Sequence, residues 1–373
     1  MAPAGGCRQL RLKAGWIRPG NHHEREGMIK LKKRKNRFLV PLVIFSFLFL
    51  LPFGFCRADA AQAPLTHLRA VVLPYVTSGP FFIAREEGFF KEQGLDVEFI
   101  QMIVPTIAFG EVARGTIDIS QIGTRIGPFN AMARGAEVHV VADKGGFPKE
   151  GKGAYSGLVV RKDLLDASGR PDWARIKKEP LSIDPTSFWG FLSERYFQRN
   201  GQKFSDFKME ELPVTVLSDA FAKKKVAMAT VAEPWLTRFL QEGYVVLCSS
   251  DGELAPHAHF SGVCFGPSLL VKNRDAGVRF MVAYLKAVRQ YNQGKTKRNI
   301  EILSKHTGLA PDTLKACTWP AMRSDGRVDP SSFAEFQRWC LARKLADQVV
   351  VGKKLWDSSF VDEANRILGK PKP

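Results

Sequence analysis

Four times the chain runs from a short apolar stretch into a polar turn and then into a helical stretch that begins at or near proline. The turns are Tyr75-Val76-Thr77-Ser78-Gly79-Pro80, Ile122-Gly123-Thr124-Arg125-Ile126-Gly127-Pro128, Asp184-Pro185-Thr186-Ser187 and Ala232-Glu233-Pro234-Trp235. Proline is tolerated at such starts because the first helical N–H groups have no acceptor within the helix. Those free N–H groups favour negative charge, and in open α/β sheets they face the crevice beyond the strand ends where ligands bind. The hydroxyls of Thr77, Ser78, Thr124, Thr186 and Ser187 are therefore candidate donors to ligand oxygens, with ordinary helix capping as the competing account of each. Arg125 is placed to pair with an acidic ligand, and Glu233 with an amine or a ring N–H. A carboxylate favoured by the helix dipole is the plainer account of Glu233. Tyr75, Phe81, Phe82, Phe188, Trp189 and Trp235 accompany the turns; they would wall or stack on a ligand, or simply pack in a core.

Machinery for catalysis is missing from the pattern. A nucleophile with its base, paired carboxylates in a cleft, or a metal cluster would be needed. Of the seven histidines, His257 and His259 are close in sequence but have no Asp, Glu or Cys at ligand spacing. Glycine-rich phosphate loops are absent too. The expectation is a binding protein without cofactor or metal, not an enzyme.

The elements that must position these turns alternate short strands with amphipathic helices, the pattern of α/β layers with mostly parallel sheets. Strands are predicted at 68–73, 97–100, 117–121, 138–142, 158–160, 181–183, 214–217, 226–230, 244–247 and 268–271. Gly94, Gly115, Gly135, Gly201 and Gly243 each follow a helical stretch, where a left-handed residue would end it. From Asn273 onward the pattern is helical only, at 275–291, 296–306, 311–316, 330–345 and 357–368. A chain of this length is expected to divide into two lobes rather than grow one core.

The N-terminal region reads as an export signal. Within 28–60, Lys30, Lys32, Lys33, Arg34, Lys35 and Arg37 precede an apolar run from Phe38 to Phe53, and Ala58-Asp59-Ala60 offers small residues for cleavage. The mature protein is expected to start near Ala61, in the periplasm. Retention as a membrane anchor, or lipidation at Cys56, are the alternatives. Residues 1–27 lack structure signals and precede a better start at Met28, as an over-called N-terminus would. The whole chain carries a net charge of +18; residues 61–373 keep 43 Lys/Arg against 34 Asp/Glu, or +9. With no basic stripe interleaved with aromatics, nucleic acid is not an expected partner. Cys248, Cys264, Cys317 and Cys340 form no CxxC or metal spacing. They are either buried thiols or disulfides, and Cys317 with Cys340 is the pairing to test first.

In order along the chain, Pro80-Phe-Phe-Ile-Ala-Arg-Glu-Glu-Gly-Phe-Phe-Lys-Glu-Gln-Gly-Leu-Asp-Val-Glu, Gly115-Thr-Ile-Asp-Ile-Ser, Gly135-Ala-Glu-Val and Ala232-Glu-Pro-Trp resemble the nitrate/sulfonate/taurine-type substrate-binding proteins of ABC transporters. Their superfamily also holds binders of thiamine-pyrimidine and riboflavin-type precursors. The resemblance covers Leu68 to about Gly294. It implies a type II periplasmic-binding-protein fold, with two lobes, two crossovers and closure on a ligand. Crossovers near Tyr155 and Gly262 would give a discontinuous lobe 1 (61–155 and 262–373) and a lobe 2 (156–261). Positions carried over to the cleft are Thr77, Ser78, Gly79, Thr124, Thr186, Ser187, and Glu233 with Trp235. Where relatives have a small Gly/Ser turn, this chain has Asp-Pro-Thr-Ser-Phe-Trp, which shifts the expectation towards an aromatic or bulky organic ligand (a sulfonate, an aromatic acid or a pyrimidine) and away from nitrate. The implied protein is a monomer that delivers solute to an inner-membrane permease. A thiamine-pyrimidine synthase-like enzyme, whose cysteine-rich iron motif is missing, and a ligand-sensing module for a membrane receptor are the alternatives.

Overall fold

A computed structural model describes residues 64–100, 105–123, 125–147 and 153–369. The expected export segment, Cys56, the residues before it and Thr124 lie outside the described residues. Five strands form the first sheet: β1 (Thr66–Val71), β2 (Leu95–Ile100), β3 (Ile119–Ile122), β4 (His139–Gly146) and, much later in the chain, β9 (His259–Phe265). Their order is β2-β1-β3-β9-β4. A second sheet, in the order β6-β7-β5-β8, is built from β5 (Ser156–Arg161), β6 (Leu181–Ser182), β7 (Met228–Ala232) and β8 (Val245–Ser250). Each sheet with its helices is one lobe.

The sheets are mixed rather than mostly parallel. β1 pairs in parallel with β2 and β3, but β9 is antiparallel to both β3 and β4. Likewise β5 is antiparallel to β7 and β8, while β6 and β7 are parallel. The physical reason lies in the crossovers. A strand arriving from the other lobe enters its sheet at the cleft edge, where the parallel strands end, so it must run the opposite way.

Tyr155 lies in the segment joining β4 to β5. Gly262, expected at the return crossover, sits inside β9, opposite Ile122 on one side and Asp143 on the other. The return is therefore made before His259. The stretch His-Phe-Ser-Gly-Val-Cys-Phe hides its strand character because Ser and Gly are poor strand formers. Gly262 is required there: a Cβ would stand 2.6 Å from Val140 Cγ1 and 3.3 Å from the Ala142 carbonyl.

Two predicted strands are helical. Val214–Ala222 is an α-helix with Leu217, Ala220 and Phe221 buried, a spacing of three and four that packing enforces over the β-branched preference of Val-Thr-Val. Ser268–Lys272 forms a π-helical turn that buries only Leu269. Helices at Arg274–Tyr291, Lys297–Thr307, Pro311–Ala316, Pro330–Ala342 and Ser359–Leu368 make up the C-terminal third. All five predicted terminating glycines have positive φ, from 66° at Gly94 to 98° at Gly135.

One core cluster belongs to the first lobe, around Phe81, Phe265, Phe280 and Tyr284, and a small one to the second, around Phe221 and Phe239. A third runs through both lobes. It takes Ile122 and Phe129 from the first, Phe188, Phe191 and Phe197 from the second, Phe147, Tyr155 and Phe260 beside the crossovers, and Phe333 and Phe336 from the C-terminal helices.

Candidate functional site

Turns from both lobes line an open cleft of about 600 Å³. The first lobe contributes Tyr75, which is 53% exposed, and Arg125. Asp184, Ser187, Trp189 and Glu211 come from the second. Leu212, Pro213, Val214 and Leu217 supply an apolar wall. Three of the four predicted turns thus share one space.

Arg125 bridges it. Its guanidinium contacts Asp184 Oδ2, and its Nη2 donates to Glu211 Oε1 at 2.6 Å. Its backbone also forms an isolated antiparallel bridge with Ser187. The cation expected to meet an acidic ligand is held instead by two carboxylates of the opposite lobe. Glu211, in the acidic pair before Leu212-Pro213, carried no sequence signal for this role.

The hydroxyls divide between local and remote partners. Thr186 donates its backbone N–H and its Oγ1 to Asp184 Oδ1, at 2.9 and 2.7 Å. Ser187 Oγ accepts from Gly190 N at 3.2 Å and donates to the Asp184 carbonyl at 2.9 Å, capping the helix Phe188–Arg199. Position 190 must be glycine, since a Cβ would lie 2.5 Å from that same carbonyl. Thr77 Oγ1 accepts from Lys144 Nζ at 2.8 Å. Ser78 is fully buried beside it, and its Oγ has no hydrogen-bond partner among the described residues. Gly79 follows because a Cβ would press on the Tyr291 ring at 2.7 Å.

The fourth turn serves the fold. Glu233 is buried and accepts from Thr237 N at 2.9 Å, Thr237 Oγ1 at 2.7 Å and Thr318 N at 2.9 Å, so its oxygens join the helix Trp235–Glu242 to a segment of the C-terminal third. Trp235 is half-buried, packs on Phe239, and lines a separate groove against the helix Pro311–Ala316. Among the other aromatics, Phe81 is core of the first lobe, 5.3 Å from Tyr284 and 5.9 Å from Phe280. Phe82 stacks on His306 at 4.6 Å. Phe188 is buried against Phe147, Phe191 and Phe336. Trp189 belongs to both settings, lining the cleft while its ring packs on Phe147 and Phe260.

Cys248, Cys264, Cys317 and Cys340 are free thiols. Cys317 and Cys340, first candidates for a bridge, lie in different core clusters. Burial raises the pKa of each, to about 12 for Cys248 and Cys340 and about 11 for Cys317, which keeps them protonated and poorly nucleophilic.

Asp251 is a buried carboxylate that fastens the second crossover. It accepts from Ser156 N at 2.8 Å, Ser156 Oγ at 3.0 Å and Gly252 N at 2.7 Å, yet burial still pushes its pKa up to about 6. The folded protein therefore holds a proton between about pH 4 and 6 that the unfolded chain releases. The stabilisation is complete below pH 4 and is lost as pH rises through 6, about 3 kcal/mol in all. Urea unfolding of wild type and Asp251→Asn from pH 3.5 to 7.5 should show their difference falling across that window and flat outside it. A difference independent of pH would reject this assignment.

Residues 61–304 match the description of the NMT1-like family. The chain belongs to that family. YtlA of Bacillus subtilis, a protein named for a binding role, is 21% identical over 284 residues, covering 72% of this chain and 79% of its own. Among solved structures, the ligand-binding component of an ABC-type import system from Staphylococcus aureus superposes with a TM-score of 0.64 at 16% identity, over 81% of this chain and 99% of that one. The nitrate-binding protein NrtA of Synechocystis gives 0.62 at 16%, over 82% and 90%. The aliphatic sulphonate-binding protein SsuA of Escherichia coli gives 0.61 at 18%, over 76% and 95%. These likenesses establish the periplasmic-binding-protein fold for this NMT1-like chain.

Proposed function

We propose that this chain is the extracytoplasmic solute-binding component of an ABC importer, capturing a small organic ligand between its lobes and presenting it to a membrane permease as a monomer. The observation that carries the reading is the open cleft of about 600 Å³ lined by turns of both lobes. Its volume is that of an organic ligand site rather than of a nitrate-sized one, and the half-buried Trp189 supplies a flat apolar wall. The named functions of the fold's solved neighbours, an ABC import system and sulfonate and nitrate binding, support the same reading. No reaction is assigned. The thiols are held protonated, and no group of three or more His, Cys, Asp and Glu fit for a metal occurs among the described residues.

In this reading residues 61–147 and 259–369 move as one lobe and 156–250 as the other. Ligand contacts from both would favour the closed state over the open one. The export signal at 28–60 would place the protein in the periplasm, and no described helix is long and apolar enough to cross a membrane.

Thermal melts of residues 61–373 against sulfonates, aromatic carboxylates, pyrimidines and flavins test the proposal. A ligand present at 100 times its Kd should add about 2.7 kcal/mol and raise the melting temperature by several degrees. A melt that no solute moves would count against solute capture.

A further inference from the structure

The turn before the helix Phe188–Arg199 and the acidic pair before Leu212-Pro213 put two carboxylates of the second lobe on the cleft. Asp184 is 8% exposed; its Oδ1 is taken by the N–H and hydroxyl of Thr186, while its Oδ2 accepts no hydrogen bond. Glu211 is half exposed, and its Oε1 accepts from Arg125 Nη2 at 2.6 Å. Arg125 Nη1 lies against Asp184 Oδ2. One planar cation from the opposite lobe thus spans both carboxylates, with a nitrogen to each.

The charges do not balance. Of the described residues that line the cleft, Asp184 and Glu211 are acidic and Arg125 alone is basic, which leaves one negative charge. The apolar wall of Leu212, Pro213, Val214 and Leu217 focuses its field into the space where a ligand must sit. An organic anion would be repelled there and a cation attracted. Two aromatic rings line the same space, Tyr75 from the first lobe and Trp189 from the second, and aromatic faces attract cations. Arg125 is a weakly held occupant: its side chain is half exposed, so solvent screens its attraction and it can turn outward into water. Asp184 Oδ2, buried and without a hydrogen bond, is the group that an N–H donor of the ligand would satisfy.

We propose that Asp184 and Glu211 receive a cationic end of the ligand, an amidinium or guanidinium whose two nitrogens take the places held by Nη1 and Nη2 of Arg125. The inference rests on the solute-binding reading and narrows it to planar organic cations. Arg125 is then a tethered stand-in that holds the two carboxylates before binding and is displaced by the ligand. Its own fork shows that a planar two-nitrogen cation fits between them. Selectivity follows from what the other classes leave behind: a neutral solute cannot replace the displaced charge, and an anion would face both carboxylates.

The test melts the purified protein at pH 7 and constant ionic strength against benzamidine, with benzenesulfonate and benzyl alcohol as the anionic and neutral counterparts on the same ring. Benzamidine should raise the wild-type melting temperature saturably, and the other two should not. In Asp184→Asn, which keeps an acceptor for Thr186, the apparent affinity should fall about tenfold or more, the scale of a lost charge-assisted hydrogen bond. In Glu211→Gln, on the exposed side, it should fall by a few fold. Arg125→Ala removes the tethered competitor, so methylguanidinium should raise the melting temperature of that variant more than that of wild type. Equal benzamidine responses in wild type and both carboxylate variants, or no saturable response of the wild type to benzamidine, would overturn the proposal. A saturable response to benzenesulfonate or benzyl alcohol that both carboxylate variants retain would sink the cation site and leave solute capture standing. No wild-type response to these three compounds or to the wider solute screen would sink both.

Discussion

Phe260→Ala is expected to destabilise the protein by about 3–5 kcal/mol, the range for removing a buried aromatic ring from a packed core. The ring lies between Phe147, at 4.9 Å, and Tyr155, at 5.0 Å and nearly parallel, with Trp189 at 5.9 Å. Phe147 and Phe260 belong to the first lobe, Tyr155 to the crossover segment, and Trp189 to the second lobe's helix Phe188–Arg199. Truncation would open a void where the lobes are joined, with rigid neighbours on several sides that cannot collapse into it. Urea unfolding with a shared slope measures the loss, and Phe260→Leu, which refills part of the space, should recover a substantial share. A loss below about 1 kcal/mol would mean that the stack does not hold the lobes together.

Removal of the Arg125 side chain acts on the other edge of the cleft. Asp184 is 8% exposed and its Oδ2 has no hydrogen bond, so the guanidinium is what neutralises it. Arg125 itself is half exposed, and solvent screens its pair with the exposed Glu211. On the lobe closure proposed above, the net effect of Arg125→Ala is expected to be about 1–2 kcal/mol, a factor of 5–30 towards the open form. Small-angle scattering, or a fluorophore pair with one dye on each lobe, reads this as a larger mean separation. Added salt should move the wild type in the same direction and the variant hardly at all. Identical scattering curves for the two proteins would show that the ion bridge contributes nothing to closure.

Both experiments act on contacts that no stretch of sequence announces. Arg125 was legible as a charge near a strand end, but its partners lie at 184 and 211. Glu233 was legible as a carboxylate at a helix start, and its third hydrogen bond comes from Thr318. Phe188 and Trp189 read equally well as ligand walls or as core. The structure buries the first and leaves the second between the two roles, because the third core cluster passes through the crossovers.

The amino-acid sequence by itself determined the alternation of strands and helices, the terminating glycines, the helical last third and three turns that do meet at a cleft. These depend on periodicity and on the conformational freedom of single residues, both of which are local. Only the tertiary structure decided that β9 inserts between β3 and β4, that Val214–Ala222 is a helix, and that Lys144 leaves its ladder to face Thr77. Strand partnership, burial and ion pairing are fixed by residues from about sixty to well over a hundred positions apart, and their energies arise only when the packed chain brings those residues together.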